Sequence, residues 1–107
     1  MSIGLLIKIE GEKSQLIPVA TENSFKKFWL PGSDALDLHW VPLFQTGLPI
    51  TKDDAPQIID ELIRLNTWMS NPDQNWIPQE FVKRIDSMLT ILNDFAEHSR
   101  GTTIYIG

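Results

Sequence analysis

Asp34, Asp37 and His39 fall close together within FKKFWLPGSDALDLHWVPLF, residues 25–44, a stretch that also carries Trp29 and Trp40. A carboxylate beside an imidazole is the pairing that general-base catalysis uses, and two aspartates with a histidine are also acceptable metal ligands. Alternation over Leu36 to Phe44 predicts a strand there, with Leu36, Leu38 and Trp40 pointing inward and Asp37 and His39 pointing outward together. The polar side of a solvated strand would give the same letters. No nucleophile motif, glycine-rich phosphate loop or histidine pair of ligand spacing accompanies the trio. A small-ligand or metal-assisted site at Asp34, Asp37 and His39 is therefore the second reading. The first has no catalytic residue, no metal and no cofactor. His98, the other histidine, falls in the last turn of a predicted helix, where its charge suits the dipole.

The two tryptophans of this stretch divide by their neighbours. Trp40, inside an alternating run, is expected in the core, where a large aromatic buries much apolar area. Trp29, flanked by KKF and LPGSD, is expected on a binding surface together with the loop Pro31 to Leu36, because aromatic residues dominate interface hot spots. Lys26 and Lys27 beside Phe28 and Trp29 are too few for nucleic-acid stacking.

These residues need elements to position them. Ile3, Leu5, Ile7 and Ile9 alternate with Gly4, Leu6, Lys8 and Glu10, which predicts a half-buried strand over about 2–10. GEKS at 11–14 is a turn, and QLIPVAT completes a hairpin in which Pro18 demands a sheet edge or a bulge. Ile58, Leu62, Leu65 and Met69 form a helical stripe. Pro56 fits the first turn if Asp54 is the N-cap, with Gln57 as its capping-box partner, after a looser turn from Thr51. That helix is predicted to run from Ala55 to Met69, with Asp60, Glu61 and Arg64 on its solvated face. SNPD breaks it. Phe81, Ile85, Met88, Leu89, Leu92 and Phe95 mark a second helix over about 78–98, opened by Pro78 and by a Trp76–Phe81 staple and ended by Arg100 and Gly101. TTIYIG closes the chain as a strand. The order predicts a single domain over residues 1–107, an α+β fold with a small, mainly antiparallel sheet of three to four strands and two helices packed on one face.

The 107 residues suffice for one core without disulfides, and 42% hydrophobic with 21% charged residues is ordinary for a globular chain. The absence of cysteine removes thiol chemistry and suits a reducing compartment. The opening MSIGLLIKIEGEK lacks the basic and cleavage segments of a signal peptide, and no apolar run is long enough to span a bilayer, so a cytoplasmic location is expected. From Phe28 to Val82 eight acids face two bases, a local charge of −6 within a net −5. Such a segment disfavours phosphate backbones and attracts a cationic surface. Length and charge together suit a non-enzymatic, acidic protein-binding module, such as an inhibitor or toxin-immunity protein that occludes a basic partner surface. Its expected binding residues are Trp29, Asp34, Asp37 and His39. A homodimer formed through the same tryptophans is the further alternative, with neither nucleic acid nor membrane as a partner.

Overall fold

The structure is a computed structural model that describes residues 2–98 and 101–107, His98 by its backbone alone. The cap read for the His98 side chain and the stop read at Arg100 lie outside the described residues. Four strands, β1 (Ser2–Ile9), β2 (Gln15–Thr21), β3 (Leu48–Ile50) and β4 (Thr102–Ile106), make an antiparallel sheet in the order β2-β1-β4-β3. Two long helices, α3 (Ala55–Ser70) and α4 (Gln79–His98), supply the other layer. This is a small α+β fold, as the element order predicts.

The alternation of β1 works as expected. Ile3, Leu5 and Ile7 are buried with Val19, Ile50, Ile104 and Ile106, and they join Ile58, Leu62, Leu65, Ile85, Met88 and Leu92 of the helices in one core. Pro18 takes both options open to it. β2 is an edge strand, and its register jumps so that Ile3 pairs with Ala20 while Gly4 pairs with Pro18. Val19 is thus a bulge, and its carbonyl accepts a hydrogen bond from Arg84 Nη1 at 3.0 Å.

The fourth strand is not within Leu36 to Phe44. It is the three-residue β3, and the segment around Asp37 is helical and turned instead. After β2 the chain winds through α1 (Glu22–Ser24), a π-helical turn at Phe25–Trp29 and α2 (Leu30–Leu36). Pro31 sits in the first turn of α2, where its missing N–H costs nothing. Gly32 is there because α3 comes close. A Cβ at this position would stand 2.6 Å from Leu65 Cδ1 and 2.8 Å from a Trp68 ring carbon. LPGSD, which reads as a loop, is thus a helix pressed against another helix. Asp37 ends it in the left-handed conformation (φ 54°, ψ 50°). A 3-10 turn, Val41–Gln45, then leads to β3.

Candidate binding surface

Trp29 is not at the surface. It is fully buried, stacked on Phe25 with ring centroids 5.5 Å apart and edge-on to Phe81 at 6.2 Å. Its indole Nε1 has no hydrogen-bond partner among the described residues. Phe25 and Trp29 are four residues apart, so a helical turn, here π-helical, carries both inward together and leaves Lys26 and Lys27 outside. Trp29 therefore leaves the set of binding residues.

Trp40, expected in the core, is only half-buried. Its backbone belongs to a turn held by a carboxylate that the helix pattern assigns to solvent. Glu61 of α3 is 6% exposed. Its Oε2 accepts the backbone N–H of His39 and of Trp40, both at 3.1 Å, and its Oε1 accepts those of Trp40 at 2.9 Å and Val41 at 3.1 Å. Three orphan donors at the start of the 3-10 turn are satisfied by one side chain from a distant helix. The negative charge also meets the positive end of that turn. The Trp40 indole then donates to Gln57 Oε1 at 3.1 Å, so Gln57 steadies the ring instead of closing a capping box.

Around this turn lies a shallow concavity of about 400 Å³ lined by His39, Trp40, Pro56, Gln57, Asp60 and Arg64. Arg64 Nη2 donates to the carbonyl of Leu36 at 3.0 Å, tying α3 to the end of α2. Its Nη1 stands 4.0 Å from Asp60, and the two side chains are 47% and 70% exposed, so the pair is loose and screened. Asp37 precedes His39 by two residues, and Asp53 and Asp54 lead directly into Pro56. All but Asp54 are exposed, and Asp54 is half-exposed.

Asp34, Asp37 and His39 are all exposed, but no strand aligns them. Asp34 is on α2, Asp37 is its left-handed terminus and His39 begins the next turn. Among the described residues no three acidic or histidine side chains gather to hold a metal ion. Of the acids counted between Phe28 and Val82, Glu61 alone is withdrawn into structure. Its spacing was the available signal, since Glu61 is three residues after Ile58 and four before Leu65 and so lies at the edge of the buried stripe, but its partners are backbone groups about twenty residues away that no helix pattern names.

Trp76 is another surface aromatic, 45% accessible. The staple expected between it and Phe81 is mediated by Phe28, whose ring is 6.0 Å from Trp76 and 5.2 Å from Phe81, while Trp68 meets Trp76 edge-on at 6.3 Å. No helix of the described residues is long and apolar enough to cross a membrane. Comparison with models of protein families, with curated proteins and with solved structures gives no match to the chain.

Proposed function

We propose that the protein is a non-enzymatic binding module that docks a basic protein surface at the concavity beside Trp40. The carrying observation is a half-buried tryptophan held in its turn by the buried Glu61 carboxylate and by Gln57, in a concavity that the exposed Asp60 and its loosely paired Arg64 also line. Such a site would combine a desolvated aromatic anchor with acids that steer the encounter. Asp37 and His39 keep their place in this surface, with Asp53 and Asp60 beside them, and Trp40 takes the anchoring role. An inhibitor or immunity-like protein would act in this way, by occlusion. The lack of cysteine suits a reducing compartment, and this reading puts the protein in the cytoplasm.

The test is affinity capture with the whole chain, followed by measured association rates for the retained protein. Trp40→Ala should weaken binding by roughly thirtyfold or more, the loss for an interface hot spot. A joint Asp53→Lys and Asp60→Lys change should slow association chiefly at low salt. A basic partner that binds both variants as it binds the wild type would overturn the proposal, and so would the absence of any retained protein.

A further inference from the structure

Both long helices cover one side of the sheet, and the other side is bare. Paired residues share a face, so the register places Leu16, Leu6, Tyr105 and Pro49 in one line across all four strands in spatial order: Leu6 pairs with Leu16 and with Tyr105, and Tyr105 pairs with Pro49. Leu16 is 66% exposed and Tyr105 45% exposed, and Pro49 is exposed too. The face is also low in relief at the two glycines it covers. Leu16 lies over Gly4, where a Cβ would stand 2.8 Å from its Cδ1, and Tyr105 lies over Gly47, whose added Cβ would collide with the phenol oxygen. Large apolar side chains thus lie down on glycines at two points of the row, with a shallow concavity of about 250 Å³ between Leu6, Lys8, Pro49 and Tyr105.

Charge makes this face unlike the remainder of the molecule. The four strands contain no aspartate or glutamate, and Lys8 is their single charged residue. In a chain of net charge −5 the acids all lie on helices, turns and loops. An occupant selected by charge would go to the acidic side. The sheet face offers a foreign basic surface nothing, but it tolerates its own image, because two copies meeting here bring no carboxylates together. Extension through the edges is blocked, since each edge strand, β2 and β3, carries a proline, Pro18 and Pro49, that cannot donate to a further ladder.

We infer that this open sheet face is a self-association surface, on which two copies of the chain pack face to face through the Leu16–Leu6–Tyr105–Pro49 row. Strands about 4.8 Å apart with a rise of about 3.3 Å per residue give roughly 400 Å² per copy. That is about half of a standard interface, so the dimer is a weak and transient one. The contact is distinct from the concavity beside Trp40 and stands whether or not that site binds a partner.

Sedimentation of the whole chain from about 20 µM to about 1 mM, concentrations at which weak association shows as added mass, tests the inference. The wild type should rise from 12.2 kDa toward twice that mass. Leu16→Glu places a carboxylate on the row at an exposed position and should keep the protein monomeric with its circular dichroism unchanged. Lys8→Leu removes the face's one charge and should tighten association. Leu43→Glu, at a 44% exposed leucine in the 3-10 turn, should associate like the wild type. A wild type that stays monomeric throughout the range overturns the inference, even if it sediments with lipid vesicles, which would give the face to another occupant. Equal association by Leu16→Glu overturns it as well.

Discussion

Glu61 shows how one residue can hold a site without belonging to its visible surface. Each of its two oxygens accepts two backbone N–H groups. Glutamine is nearly isosteric but offers one oxygen and an amide that is itself a donor. Glu61→Gln therefore turns a set of matched contacts into one in which N–H faces N–H on one side, in a nearly dry location. The expected loss of stability is about 1.5–3 kcal/mol, the value of hydrogen bonds to a charged group, measured by urea unfolding. The Trp40 environment should change with it, since the turn that carries the indole is what the carboxylate holds. An unchanged midpoint would mean that the turn at residues 39–41 stands without its carboxylate. The two tryptophans exchanged their expected roles because the segment around Trp29 is helical: Phe25 and Trp29, four residues apart, share the inward face of that turn, whereas the two lysines between them read as a surface.

At the scale of elements, helices and strands with a long periodic signal were legible in the sequence, and those fixed by a single contact were not. Ile58 to Met69 and Phe81 to Phe95 each repeat their apolar residues over several turns, and both helices lie within a residue or so of the limits read from that pattern. β3 has three residues, one of them proline, so it carries no alternation to read. The run at Leu36 to Trp40 does alternate, but it spans the end of a helix and a turn, where the alternation has no structural meaning. The start of α3 is a finer case. Asp54 has helical backbone angles and its side chain makes no capping bond. Thr51 does the capping: its hydroxyl accepts the N–H of Asp54 at 3.2 Å and its carbonyl that of Ala55 at 3.0 Å. Pro56 then interrupts the ladder, which resumes with Gln57 and Ile58 both bonded to the carbonyl of Asp54. Thr51→Ala should accordingly cost about 0.5–2 kcal/mol, as loss of an N-cap does, and Asp54→Ala clearly less. Thermal or urea unfolding of the two variants side by side decides it, and a larger loss at Asp54 would return the cap to that residue.

Across the whole molecule, the carboxylates lie on helices, turns and loops and are absent from the strands. The strands hold one cation and no acid, while the segment from Phe28 to Val82 holds eight acids and two bases. Seven of those acids are exposed or half-exposed, and the ion pair among them is the 4.0 Å contact of Asp60 with Arg64. Two electrostatic terms therefore compete when salt is added. Screening weakens attraction in ion pairs, and it also weakens repulsion among like charges; the Debye length falls from about 30 Å at 0.01 M to about 3 Å at 1 M. A fold laced with ion pairs would lose stability on this change. Here repulsion outweighs attraction, because the carboxylates are many, mutually near in sequence and matched by a single long pair in that segment. The contacts of Glu61 are short and nearly dry, so salt reaches them least. The melting temperature should thus rise as sodium chloride goes from about 0.01 M to about 0.5 M, well before any general salting-out effect. Scanning calorimetry of dilute protein, kept below the concentrations at which copies associate, separates this intramolecular term from dimerisation. A melting temperature that falls over this range would mean that the acidic surface is internally neutralised, leaving no excess of negative charge to draw in a basic partner.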